Sequence, residues 1–325
     1  MGQRVSEPES MADAKATGQT PVCLLDASIY IFRYYFSLPQ RWFSETDEWP
    51  TEAVYGYTGF LLDFIRSERP IFMAACFDES LGSCFRNEIY PGYKASRALP
   101  DEALTFQLNA CREVTELLGI SCFSSEVYEA DDLLGSLMHW GHASPELALN
   151  PFALLTRDKD LGQLLLRDQD FLWHYHSDKS KEERRDRQAI VAAFGVRPEQ
   201  LVDYLALVGD SVDDIPGVPG IGAKTASALL AYFGDFANLY GRLDELPSVK
   251  VRGAKNLVNK LQEHYQQALT SRNLAEIVTD VELELSVAKL TRQRIDLQGF
   301  SEFCRRMGFG KAFEARVNAC VEMDG

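Results

Sequence analysis

Apolar residues follow two rhythms along the chain. Up to about residue 176, short unbroken apolar runs alternate with stretches of helical spacing; from about 177 onward only the helical spacing remains. The runs at 21–26, 71–78, 120–123, 151–156 and 171–175 read as buried strands. Between them, Ile29, Tyr30, Phe32 and Phe36 predict one helix, and Val54, Tyr57, Phe60, Leu61 and Phe64 another over about 51–67. A third helix is predicted over 101–118, and Leu133, Leu134, Leu137 and Met138 mark a fourth. Strands alternating with helices predict an α/β fold with a mainly parallel sheet. Farther on, Leu201, Tyr204, Leu205 and Val208 predict a helix over 199–209, and another ends near Phe233.

In open α/β sheets, ligands bind beyond the carboxyl ends of the strands. Asp26, Asp78 and the pair Asp158 and Asp160 stand at such ends, and Glu129, Asp131 and Asp132 open a helix just after another strand. A single strand-end Asp reads as a helix cap, and a helix start tolerates one negative charge. Two carboxylates about 4 Å apart, however, repel by roughly 4 kcal/mol at an effective dielectric of about 20. Repetition at three strands and one helix start therefore predicts one acid-lined sheet edge that needs cations. Oxygen-only donors suit Mg²⁺ or Mn²⁺.

The stretch 209–226, GDSVDDIPGVPGIGAKTA, is a glycine- and proline-rich connection that ends at a helix start. Gly217, Gly220 and Gly222 allow a tight turn. Backbone N–H groups at the helix start suit a phosphate, and Lys224, next to Thr225, adds a charged contact. An ordinary helix–turn–helix corner is the plainer alternative. Asp210 and Asp213 join the other acids if the helical region packs on the sheet edge.

Composition narrows the classes. With 46% hydrophobic residues the chain can bury a core, and no run of about 18 apolar residues predicts a membrane span. Residues 1–20 are polar and resemble neither a signal nor a transit peptide; they are expected to form a disordered tail. Seven cysteines without CxxC spacing and five histidines without zinc spacing predict free thiols and a cytoplasmic location. The net charge of −15, taken alone, argues against a nucleic-acid partner. Its distribution matters more. Basic residues cluster at Arg86, Lys94 and Arg97, at Lys179, Lys181, Arg184, Arg185 and Arg187, and at Lys250, Arg252, Lys255 and Lys260. The middle cluster also holds Glu182, Glu183 and Asp186 and reads as a solvated run.

Taken together, the motifs resemble the bacterial and phage 5′ nucleases, flap endonucleases and the 5′ nuclease domain of DNA polymerase I, over about residues 22–285. The resemblance rests on LLD ending at Asp26, on FD ending at Asp78, on Arg86 followed by Tyr93, Lys94 and Arg97, and on the EADD of 129–132. It rests also on TRDKDLGQ at 156–163 and on the glycine-rich stretch. Asp214 departs from it, since many members carry Asn there.

The resemblance implies a PIN-like nuclease core at 21–176 with a helical arch at about 79–110. It further implies a helix–three-turn–helix DNA-binding region at 177–290 and a C-terminal helical segment at 291–325. By the same resemblance, Asp26, Asp78, Glu129, Asp131, Asp132, Asp158, Asp160, Asp210 and Asp213 hold two or more Mg²⁺ ions, with Mn²⁺ as substitute. Lys94 and Arg97, with Asp26 and Asp78, are the catalytic candidates. Arg86, Tyr93, Lys94, Arg97, Gly217, Gly220, Gly222, Lys224 and Thr225 are the DNA-contact candidates, and the loop carbonyls a K⁺ site. The expected activity is two-metal hydrolysis of 5′ flaps or ends of nicked or branched DNA in replication and repair, by a stand-alone monomer. A DNA-binding module that does not cleave, or a nuclease acting on RNA or RNA–DNA hybrids, is the rival reading.

Overall fold

The computed structural model describes residues 20–46, 48–251 and 254–324. The expected tail, save Thr20, lies outside the described residues, as do Arg252 and the side chain of Lys255.

Six strands form one sheet: β1 (Val22–Asp26), β2 (Phe72–Asp78), β3 (Ser121–Ser125), β4 (Phe152–Leu155), β5 (Phe171–His174) and β6 (Glu183–Arg185), in the order β3-β2-β1-β4-β5-β6. The first five are parallel, with β1 central between β2 and β4. β6 pairs antiparallel with β5, His174 opposite Glu183. Both faces of the sheet are covered, which is why its strands read as unbroken apolar runs. Successive residues of β1 serve opposite faces, as strand geometry requires. Val22 and Leu24 enter one core with Leu133, Leu134 and Leu137; Cys23 and Leu25 enter the other with Tyr57, Leu61 and Phe64.

Helix α1 (Ala27–Ser37), α2 (Glu52–Glu68) and α4 (Glu102–Leu117) cover the second face, and α3 (Phe85–Ile89) is a short turn between β2 and α4. Helix α5 (Ala130–Ala143) covers the first face. Beyond β6 come α6 (Arg187–Phe194), α7 (Leu201–Val208), α8 (Ala223–Phe233), α9 (Phe236–Gly241), α10 (Ala254–Glu263) and α11 (Tyr265–Ala275). The first core runs without a break from the sheet through Leu161, Ile190, Leu201 and Leu205 to Leu229 and Phe233. After α12 (Val287–Leu290), helices α13 (Leu297–Arg306) and α14 (Glu314–Asp324) return to the second face, burying Phe300, Phe303, Phe313 and Val317 with Tyr57 and Leu61. Helices α13 and α14 of the C-terminal segment thus pack with the sheet core.

Two expectations are revised. The region after 177 is not purely helical: 183–185 is a sheet strand, and its charged sequence hid it. Arg184 lies over the rings of Trp173, at 4.3 Å, and Phe171, at 5.2 Å, so part of the basic cluster read as solvated is packed on aromatic faces. The stretch expected as an arch has only α3 and a chain of turns between 80 and 100, and Leu104, Ala110 and Val114 of α4 are core residues.

Candidate active site

The strand ends bring the acids together. Asp26 ends β1 and is nearly inaccessible; its Oδ2 accepts from Thr156 Oγ1 at 2.9 Å, and its Oδ1 accepts weakly from the N–H of Ile29, the expected cap. Burial, with Asp158 and Asp78 nearby, pushes the Asp26 carboxyl up to about 7. Asp78 ends β2 and accepts from the N–H and hydroxyl of Ser80 at 3.2 and 2.9 Å; burial and Glu129 raise it. Asp131, in the first turn of α5, is raised further by burial, Asp158 and Asp26. Asp160 is pushed up to about 8 by burial and Asp158, and its buried Oδ1 has no hydrogen-bond partner among the described residues. Asp158 Oδ1 accepts from the N–H of Asp160 at 2.8 Å, so the two acids share one tight turn after β4.

Three cations stand among these acids. Lys94 reaches both Glu129 and, at 3.6 Å, Asp213. Burial raises the Glu129 carboxyl, but Lys94 and Arg86 outweigh it and hold Glu129 below the usual range. Arg97 pairs with Asp213 at 2.5 Å, and Lys159 with Asp210 at 2.5 Å. Burial likewise raises Asp210, and Lys159 reverses it. The helical region therefore packs on the sheet edge, as the placement of Asp210 and Asp213 required. Among the described residues, no three His, Cys, Asp or Glu side chains are close enough to share a single ion, and lysine ammonium groups occupy Glu129, Asp213 and Asp210.

Arg86 and Asp132 sit apart from this surface. Arg86 is 2% exposed and Asp132 0%. Two parallel bonds of 2.7 Å join them, and Arg86 also donates to Glu129, Leu274 O and Glu276 O. Asp132 accepts in addition from Val278 N and Glu129 N. Arg86, expected as a DNA contact, is thus buried and braces Glu129 instead. Tyr93 is buried too, its hydroxyl donating to Glu129 at 2.8 Å, so the ring packs and does not face outward. Sequence reasoning gave no site role to Thr156, Ser80 or Lys159, although Thr156 and Lys159 stand within the TRDKDLGQ stretch.

The glycine-rich stretch divides in two. Gly217 is buried at φ +61°, its N–H donates to Ser271 Oγ and its carbonyl accepts from Gln267. An added Cβ would lie 2.4 Å from Gly209 N, so the position requires glycine. Gly220, Gly222 and Lys224 are exposed, Thr225 partly so, and Gly222 caps α8. Asp214, at φ +56°, accepts from both the N–H and the hydroxyl of Ser96, and Lys94 N donates to Asp213 O. The segment carrying Lys94, Ser96 and Arg97 is thereby clasped to this loop.

A mostly parallel sheet with acids gathered at its carboxyl edge, joined to a helical region, is a PIN-like nuclease architecture. Residues 21–195 match the resolvase-like N-terminal domain of 5′-3′ exonucleases, and residues 196–298 match their C-terminal SAM fold. The chain belongs to the 5′-3′ exonuclease family. It is 38% identical over 274 residues to DNA polymerase I of Pseudomonas aeruginosa, covering 84% of this chain and 29% of that one, so it spans under a third of the polymerase. To the 5′-3′ exonuclease of Buchnera aphidicola subsp. Schizaphis graminum it is 30% identical over 295 residues, covering 91% of this chain and 99% of the relative. Among solved structures, the fold resembles the phage T5 flap endonuclease in a pseudo-enzyme-product complex with DNA and metal ions. The TM-score there is 0.59 at 17% identity, over 93% of this chain and 98% of that one.

Proposed function

We propose that the chain hydrolyses DNA phosphodiester bonds at 5′ ends and 5′ flaps of nicked or branched duplexes, in replication and repair, using divalent metal ions. The carrying observation is the gathering of buried acids at the carboxyl edge of the sheet: Asp26, Asp78, Asp131 and Asp160 are all raised by burial and by neighbouring carboxylates, and Asp158 raises three of them, Asp26, Asp131 and Asp160. Such an edge suits oxygen-binding cations, Mg²⁺ first and Mn²⁺ as substitute. Asp26, Asp78, Asp131, Asp158 and Asp160 would hold them, with Glu129, Asp210 and Asp213 joining once their lysine partners turn away. Asp132 supports Glu129 through Arg86 instead. Bound there, two ions supply charge stabilisation and an acidified water.

The chain's own cations do the rest. Lys94 and Arg97 turn from Glu129 and Asp213 to the scissile phosphate and offset the charge that develops on it. The exposed backbone of Gly220 and Gly222, with Lys224 and Thr225, holds a duplex phosphate at the start of α8, and the loop carbonyls are the K⁺ site. The protein acts as a cytoplasmic monomer.

The test uses a 5′-labelled flap duplex, a matched single strand and a matched RNA, each with Mg²⁺ or excess chelator, cut by wild type and by Asp131→Ala. Mg²⁺-dependent cutting near the flap junction, lost in the variant, is the expected result. Binding without cutting, or preferential cutting of RNA, would overturn it.

A further inference from the structure

Beside the acids lies a small polar cavity of about 110 Å³ that the proposed chemistry leaves unused. It opens at the carboxyl ends of β4 and β5 and is lined by Thr156, Arg157, Asp158, His174, Glu183 and Arg185. Its charged groups are unevenly matched. Arg185 is held by Glu183 through two bonds of 2.7 and 3.1 Å, so those two cancel. Arg157 makes no ion pair or side-chain hydrogen bond with any described residue. His174 Nε2 is buried and likewise has no hydrogen-bond partner among the described residues. Burial, Arg157 and Arg33 hold the His174 ring below its usual range, so this corner is already rich in positive charge. The one remaining anion is Asp158, which belongs to the acid edge and is neutralised there if that edge holds cations.

An accessible guanidinium with no carboxylate partner and a buried ring nitrogen with no hydrogen-bond partner, around a polar cavity, suit a bound anion. The cavity has room for a phosphate group. We propose that it takes a phosphate of the nucleic-acid strand adjacent to the one being cut, with Arg157 as its charge partner and His174 Nε2–H as a second donor. This rests on the nuclease reading above and adds a positioning subsite to it. The phosphate is either the terminal monoester of a 5′ end or an internal diester; their shared chemistry is a dianionic or monoanionic phosphate oxygen set. A phosphate seated here fixes the strand along the sheet edge, so that the neighbouring phosphodiester lies over Asp158 and Asp160.

The experiment compares wild type, Arg157→Ala, Arg157→Lys and His174→Gln. Arg157 is exposed and packs no core, so its variants fold. Binding of a 5′-phosphorylated and a 5′-hydroxyl nicked duplex is followed by anisotropy in chelator across a salt series, and cleavage of both is followed in Mg²⁺. Arg157→Ala is expected to weaken binding roughly tenfold, as loss of one charged hydrogen bond does, and to lower the salt slope by about 1. Arg157→Lys should recover the slope but only part of the cleavage. Loss confined to the 5′-phosphorylated duplex assigns the terminal monoester; equal loss on both assigns an internal diester. Wild-type cleavage with unchanged slope and rate in Arg157→Ala would overturn the subsite while sparing the nuclease reading. Absence of cleavage by wild type would instead overturn the nuclease reading.

Discussion

The guanidinium of Arg86 and the carboxylate of Asp132 meet fork to fork, at 2.7 Å on both sides, and both are almost wholly buried. Asp132 lies one residue from Asp131 and, through Arg86, fixes Glu129. Arg86→Ala should therefore destabilise the fold by about 3–5 kcal/mol, the usual result of stranding one partner of a buried ion pair. Arg86→Lys should recover little, because an ammonium cannot make the two parallel bonds. Urea denaturation of the two variants checks both.

Lys94 holds Glu129 below its usual range while reaching Asp213. Lys94→Ala should slow cleavage roughly 10²-fold or more, as loss of a transition-state cation does, and leave duplex binding in chelator nearly unchanged. Single-turnover rates set beside anisotropy separate the two effects; equal loss of both would place Lys94 in binding instead.

Asp26 at about 7 and Asp160 at about 8 are raised well above an unfolded Asp at about 4. Between those limits the folded state holds more protons than the unfolded one, so stability declines as pH rises. In chelator, Tm should therefore fall from pH 5 to pH 8. Divalent ions should reverse the trend, because they bind the ionised acids, and their stabilising effect should grow with pH. Differential scanning fluorimetry at both pH values, with EDTA or Ca²⁺, checks this.

Gly217→Ala places a Cβ within 2.4 Å of Gly209 N at a positive φ. A loss of about 1–3 kcal/mol is expected from backbone strain, accompanied by weaker DNA binding. Gly222→Ala, where a Cβ meets nothing within 4 Å, should be tolerated. Thermal melts of both variants test the contrast.

Asp214 keeps its left-handed backbone while accepting two bonds from Ser96. Asn suits that conformation and can accept through its carbonyl, so Asp214→Asn should preserve the clasp. Asp214→Ala should loosen the 91–97 segment, seen as faster cleavage there by a protease of broad specificity.

Much of the architecture was legible because strand periodicity and acid placement are local signals. Asp26 and Asp78 close continuous apolar runs, and the helix start at Glu129 shows as three acids just ahead of an apolar run at helical spacing. What escaped was long-range. Arg86 looks like any surface arginine until Leu274 and Glu276, nearly two hundred residues on, close over it. β6 consists of Glu183, Arg184 and Arg185, and its strand character comes from pairing with β5 and from the aromatic faces under Arg184. The burial of Tyr93 is likewise a property of where its loop lands.

The uninterrupted apolar core between the sheet and α8 has a mechanical consequence. The two halves matched by separate family domains cannot pivot about a solvent-filled hinge without exposing Leu201, Leu229 and Phe233. The molecule therefore works as a caliper with a fixed gap. Under the proposed function, a backbone gripped at the start of α8 is presented to the acid edge at a set separation, so the position of a cut would be measured along the substrate from the point of grip.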